Sequence, residues 1–411
     1  MIQLLFAIAL AAPLPETGTV SEHTLVAHAL QHHPRVAAAE GRVRAAEHGV
    51  DAAGWWPQPT LGLAVNPLPL ETRNGPAWGT VKLGQALPWA TELGARTDGA
   101  QQRVRVAQAQ VAEARVAVAL GVRRAVAALA LVEAQQAING RTLALVRRLV
   151  GLAQARLAVD SGGQIDVLEA QVALAQLENV GLDLVQRRAL RQVALNTALG
   201  RVPRAALPAI APGVPTAESV DALLDRARVT HPALDRLAAT VAGHRARARV
   251  AAAQDLPRFT VGVGYTVIGA PEMAAPGGDP GRDALHFEGG LTLPLWSGAD
   301  AAEASAEAAA AATRAARDDL EQQIVLRVIA QHTQVETALR AVQLYAHTVL
   351  PLAQQRLEVL EAAYAVDRAR FTTLIEAQRA LERFETEHAR AQAAAAIAVA
   401  DLYAAVGEET R

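Results

Sequence analysis

The chain carries the same order of motifs twice, about 200 residues apart. Ala158-Val159-Asp160, Glu169-Ala170-Gln171 and Ala198-Leu199-Gly200 recur as Ala365-Val366-Asp367, Glu376-Ala377-Gln378 and Ala405-Val406-Gly407. Upstream, His33-Pro34 and Thr60-Leu61-Gly62 are echoed by His231-Pro232 and Thr260-Val261-Gly262. Two units of this length are too few for a solenoid. The chain therefore reads as one duplicated half, residues 12–200 and 217–411, joined by a Pro-rich connector at 201–216.

Each half interrupts long helical stretches with a short alternating hairpin. In the first half a helix from about 21 to 53 is interrupted or kinked at Pro34, and Trp55-Trp56-Pro57-Gln58-Pro59 stops it. Thr60 to Val65 then alternate, a Gly/Pro-bearing loop is expected over Asn66 to Pro76, and alternation resumes from about Thr80 to Leu87. In the second half Phe259, Val261, Val263, Tyr265 and Val267 oppose Thr260, Gly262, Gly264 and Thr266. Strands are thus expected near 58–66, 79–88, 258–268 and 285–295. Beyond Pro88 the chain is helical almost without punctuation to about Asp160, where Ser161-Gly162-Gly163 turns it. The second half resumes its helices at Gly298 and turns near Asp367 to Arg370.

Period-2 patterning over about ten residues suits a barrel strand with one face in hydrocarbon and the other toward a wet lumen. All five tryptophans (Trp55, Trp56, Trp78, Trp89 and Trp296) are expected to flank strands, with none within the long helices, as in a belt at the membrane interface. Four strands cannot close a barrel, and open edges are not tolerated in lipid. The chain must therefore oligomerise, and three copies would supply twelve strands.

Composition excludes several classes. Hydrophobic residues are 51% of the chain but aromatics only 3%, so small side chains on long helices, packed closely, replace one thick core. The net charge of −2 leaves no nucleic-acid footprint. With no cysteine, disulfides, thiolate metal sites and cysteine nucleophiles are absent. Residues 1–11 read as a signal peptide with Ala9-Leu10-Ala11 as its cleavage site. No later run of 18 uncharged apolar residues suggests a membrane-spanning helix.

These motifs are carried by one known family. The chain resembles the TolC family of outer-membrane efflux channels in its twin helix–hairpin–helix halves and in the pairs Leu87-Pro88 and Leu293-Pro294 that close the hairpins. It also resembles that family in Val167-Leu168-Glu169-Ala170-Gln171 and Leu374-Ile375-Glu376-Ala377-Gln378, each leading to a Leu-Gly or Val-Gly terminus. The resemblance implies a mainly α fold with a small transmembrane β part: a homotrimer whose twelve-stranded barrel continues into a tunnel of coiled helices. It implies an outer-membrane location with a long periplasmic extension, and passive export in a tripartite efflux or type I secretion system. The implied partners are a periplasmic adaptor, an inner-membrane pump of resistance-nodulation-division or ABC type, and outer-membrane lipid. No enzymatic activity and no cofactor are implied. The rival reading is a periplasmic structural coiled-coil protein without a pore.

By motif position the resemblance puts a constriction at the helix turns, with Asp166 and Glu169 in the first half and Glu376 in the second as its acidic residues. Tyr364 matches a tyrosine linking inner helices. Arg368 and Arg370 flank the position of the arginine expected to bridge toward Asp166, and Thr373 stands where an aspartate is common. A solvated helix face near a turn is the bland reading of both glutamates. Val167, Ala170, Leu174 and Leu177, with Leu374, Ala377, Leu381 and Phe384, have the spacing of packing residues. His28 and His32 could share a helix face as metal ligands, but the paired His33-Pro34 and His231-Pro232 point to a kink or cap, and no metal site is assigned. No catalytic triad, phosphate loop or carboxylate pair stands out.

Overall fold

The computed structural model describes residues 18–72, 74–158, 163–211, 218–270, 281–366 and 368–409. The expected leader, residues 159–162, Asp367 and residues 212–216 of the Pro-rich connector lie outside the described residues. In chain order the elements are β1 (Thr19–Val20), α1 (Glu22–His32), α2 (Pro34–Ala53), β2 (Thr60–Thr72), β3 (Gly75–Leu87), α3 (Ala90–Ala158), α4 (Gln164–Ala198) and β4 (Ala209–Ile210). There follow α5 (Val220–Thr230), α6 (Pro232–Ala252), β5 (Arg258–Ile268), β6 (Ala284–Thr292), α7 (Ala299–Leu344), α8 (Leu350–Ala365) and α9 (Phe371–Val406). Two compact units form: Glu40–Ala109 with Asp235–Asp319, and the remainder.

In the first of these units β2, β3, β5 and β6 make an antiparallel sheet in that order. Register fixes two faces. Leu61, Leu83, Val263 and Phe287 form one cross-strand row, and Leu63, Val81, Tyr265 and Leu285 the next. Gly62, Lys82, Gly264 and His286 form a row on the opposite face. The apolar face is bare: Leu61, Leu63, Val65 and Leu285 are exposed and Phe287 is 82% exposed.

The first hairpin departs from expectation. Asn66 to Pro76 is not a loop: β2 runs on to Thr72 and β3 begins at Gly75. The ladder is broken only by a register shift between Val65 and Leu70, the stretch that holds Pro67 and Pro69. Proline cannot donate to a ladder and is confined to edge strands and bulges, and β2 is an edge of this sheet. Asn66 Nδ2 donates to the Ala77 carbonyl (3.0 Å) across the gap. At the other edge β6 stops at Thr292, short of 295, because Leu293-Pro294 leaves the ladder.

The helices of this unit pack through small side chains. Ala95, Ala100, Ala246, Ala248 and Ala251 are buried, and a Cβ on Gly99 would lie 3.5 Å from that of Ala246. An Arg249–Asp98 ion pair (2.8 Å) crosses from α6 to α3. Such a pair, half exposed, adds at most about 1 kcal/mol. Packing therefore dominates.

The second unit contains the duplication as a repeated joint. His33 and His231 are extended (ψ 128° and 116°) because each precedes a proline. Each then caps the next helix: the Arg35 N–H donates to His33 Nδ1 (3.1 Å) and the Ala233 N–H to His231 Nδ1 (3.2 Å). Against these joints lie the left-handed glycines that end α4 and α9, Gly200 (φ 72°) and Gly407 (φ 91°). The Arg201 N–H donates to the Asn196 carbonyl (2.9 Å) and that of Glu408 to the Tyr403 carbonyl (2.9 Å), the bond that closes a Schellman terminus. Each joint has its own core, Leu25, Val26, Val122, Leu195 and Leu199 in one and Leu223, Val328, Leu402 and Val406 in the other. β1 and β4 pair in parallel beside the first.

Helix α3 spans 69 residues, on the order of 100 Å at about 1.5 Å per residue. Its counterpart is split into α7 and α8 by a π turn, Tyr345–Val349, just before Pro351, whose missing N–H breaks the regular ladder. Among the described residues α9 is the one helix long and apolar enough to cross a membrane, but half of its most apolar window is buried within the protein.

The two glycine joints predict unequal substitutions. A Cβ on Gly407 would stand 2.7 Å from Pro232 Cδ, whereas one on Gly200 would come no closer than 3.1 Å to its neighbours. Gly407→Ala should therefore lower the midpoint of thermal unfolding more than Gly200→Ala, each also losing about 1–2 kcal/mol to the left-handed backbone. Circular dichroism of detergent-purified protein checks the order.

Candidate functional site: the helix turns and the sheet

At the turns, α3, α4, α8 and α9 share one core of Leu149, Ala153, Val167, Ala170, Leu357, Tyr364, Phe371 and Leu374. The seven-residue spacing is met there and just beyond, where Ala173 and Leu177 pack with Val146 and Leu174 lies against them. Tyr364 is the centre of this core. Only 1% exposed, it packs against Phe371 at 5.4 Å between ring centroids.

The Tyr364 hydroxyl donates to Asp166 Oδ2 at 3.2 Å, so the structure brings these two expected residues together. Asp166 lies in the first turn of α4, where a carboxylate also favours the helix dipole. Burial, then the Asp166 charge, push the Tyr364 phenol above its ordinary range, with Arg156 opposing. The phenol is therefore a donor at physiological pH.

The arginine at this site is Arg156, not Arg368 or Arg370. Arg156 lies in the last turn of α3, with its guanidinium 4.5 Å above the Tyr364 ring and Nη1 donating to the Tyr364 carbonyl at 2.6 Å. It thereby satisfies a carbonyl at the end of α8. Arg368 and Arg370 are exposed, and Arg370 is the residue preceding α9. The sequence signal for Arg156 was a basic residue in the last turn of a helix, five positions before Ser161-Gly162-Gly163. Glu376 is exposed and Glu169 half-buried. Neither is drawn into the Tyr364 cluster, and both lie on helix faces beside the turn.

Further along α9, Glu382 is pushed above the ordinary carboxylate value of 4.5 by burial and then by Glu385, with Gln378 and Arg379 opposing. His28 and His32 stack at 4.3 Å, with His32 Nδ1 2.8 Å from the His28 carbonyl. Burial, His32 and Arg201 lower the His28 pKa. No group of three metal-binding side chains forms among the described residues.

At the sheet, Trp55 and Trp56 precede β2, Trp89 follows β3 and Trp296 follows β6, all exposed, Trp296 to 94%. Trp89 donates from Nε1 to the Pro257 carbonyl (2.8 Å) and meets Phe259 edge-on at 5.6 Å. Trp78 does not flank a strand. It lies within β3, at the residue extruded by the irregularity between Ala77 and Gly79, near the hairpin end. From Trp78 to Leu87 the strand runs roughly 30 Å at about 3.4 Å per residue. Tilted by about 40°, that spans close to the 25 Å apolar band of a barrel.

The family model for outer membrane efflux proteins matches residues 25–201 and 223–408. The chain belongs to that family, a class of outer-membrane channels and not of enzymes. Among solved structures it is similar to the outer-membrane channel OprN (TM-score 0.76, 16% identity, 94% of this chain and 89% of that one). It is likewise similar to VceC of Vibrio cholerae (0.75, 20%, 94% and 96%) and to CusC (0.77, 15%, 97% and 95%). At such identities the likeness establishes the fold. No curated protein matches in sequence.

Two variants test the turn. Tyr364→Phe keeps the ring packing but deletes the bond to Asp166, and should raise the open fraction in bilayer recordings without changing the fold. Glu382→Gln should match the wild type in thermal stability near pH 4 and exceed it at pH 7. A carboxyl whose folded pKa is raised contributes stability below its unfolded value and loses it as pH rises through the folded one. Thermal scans at the two pH values read this directly.

Proposed function

We propose that three copies of the chain close a twelve-stranded barrel in the outer membrane and a helical tunnel across the periplasm, a passive outlet for an inner-membrane pump. The observation that carries this is the four-stranded sheet, whose apolar face is bare and whose edge strands β2 and β6 have one ladder side unpaired. In hydrocarbon each unpaired backbone group costs several kcal/mol. Four strands per chain bring β6 of one copy antiparallel to β2 of the next, so closure preserves alternation around the ring. The pore-free coiled-coil scaffold accounts for the helices and leaves this sheet without a purpose.

The partners in this reading are a periplasmic adaptor and a pump of resistance-nodulation-division or ABC type, which supplies the energy. The helix turns form the constriction. The Asp166–Tyr364 bond and the Arg156 clamp hold the turns of α4 and α8 together within one copy. Asp166, Glu169 and Glu376 give rings of negative charge that favour cations. Arg368 and Arg370, exposed beside the turn, are available to a neighbouring copy. Opening is a sliding of the turns that breaks these contacts.

Single-channel recording of purified protein in a planar bilayer tests this. Discrete cation-selective steps are expected. Asp166→Ala with Glu376→Ala should increase open time and reduce cation preference. Inserted trimers of both wild type and variant that never conduct would favour the scaffold instead.

A further inference from the structure

We propose that Lys82, His286 and Glu288 form a charge cluster on the lumenal face of the barrel that sets the channel's ion selectivity and makes it respond to pH. This rests on the trimeric-barrel reading above. Lys82 is on β3 while His286 and Glu288 are on β6, and β5 runs between them. Register places Gly264 opposite both Lys82 and His286, and Gly262 opposite Glu288. Because both β5 positions are glycine, no β5 side chain separates Lys82 on β3 from His286 and Glu288 on β6. Lys82 Nζ donates to Glu288 Oε1 at 2.6 Å, and His286 Nε2 lies 3.0 Å from the same oxygen. The imidazole lies directly over Gly264, where any Cβ would collide with the ring. The glycine is buried beneath it.

The cluster shares its face with Thr60, Thr80, Thr260 and Thr266, opposite the bare apolar rows. By the alternation of a barrel this is the wet side. Among the described side chains of that face the other charged residue is Arg258, at the far end of β5. Among the described residues, Lys82 and Glu288 are partnered by each other and by His286. With a neutral imidazole the cluster sums to zero. With a protonated one it carries a single positive charge, and a trimer carries three on one ring of the bore. An imidazole is the side chain whose charge ordinarily changes between about pH 5 and 8. Charges in a bore with low-dielectric walls act strongly on passing ions. The cluster thus adds no net charge to the bore while its imidazole is neutral and opposes the cation preference of the turns once it is protonated.

Reversal potentials across a KCl gradient near about 0.1 M, where the Debye length is about 10 Å, read the effect before salt screens it. In the wild type the potassium-to-chloride permeability ratio should fall about twofold or more between about pH 7.5 and pH 5.5. His286→Gln should flatten this dependence while leaving the ratio at the higher pH unchanged. Glu288→Gln should favour chloride at both values, since Lys82 is then uncompensated. A wild type whose ratio ignores pH, or a His286→Gln variant with the same fall, would overturn the cluster's role while leaving the channel intact. Inserted trimers without conductance would overturn the channel reading, and the cluster's role with it.

Discussion

A sheet in hydrocarbon must pair every backbone donor and acceptor, and the sheet of this chain leaves two edges unpaired. That constraint governs the rest of the structure. The bare face of leucines, valines and Phe287 is useless in water and natural in lipid, and the edges β2 and β6 are costly in lipid unless another copy covers them. On the proposed closure, self-assembly is part of the fold. The prolines of β2 fit the same logic, since Pro67 and Pro69 sit where the ladder already breaks.

The helical part solves a different problem, the placing of helix ends. A proline forces His33 and His231 out of helical geometry, each histidine caps the helix that follows, and a left-handed glycine from a distant helix lies against the bend. The motif is used twice because the chain is duplicated. The copies diverge at the turns: Tyr364 and Phe371 in the second half build an aromatic core there, onto which the first half contributes Asp166 and Arg156.

Much of this was legible in the sequence because it depends on periodicity and punctuation. Strict alternation gave the strands, and the paired His-Pro and Leu-Gly or Val-Gly motifs gave the joints. Motif position put Tyr364 and Asp166 at the turns but did not pair them, because an arginine was expected to bridge toward Asp166. The first hairpin was not legible, because Pro67 and Pro69 read as loop until the neighbouring strand shows that β2 is an edge. Arg156 was hidden because its partner lies 208 positions away, and local spacing carries no information on which arginine reaches Tyr364. The Lys82–His286–Glu288 cluster was hidden for a similar reason: it requires the register of β3, β5 and β6, and glycines at two positions between them. Glu169 and Glu376 had a solvated helix face as their bland reading, and the structure draws neither of them into the Tyr364 cluster.

The central claim is that edge strand β6 of one copy pairs with β2 of the next to close a ring of three. The absence of native cysteine makes crosslinking a clean probe. Leu63→Cys on β2 and Phe287→Cys on β6, introduced together and treated in membranes with a short bismaleimide, should give a covalent species of three chains and nothing larger, while either substitution alone should not. Crosslinks confined to single chains, or a ladder of open-ended multimers, would contradict closure and the channel built on it.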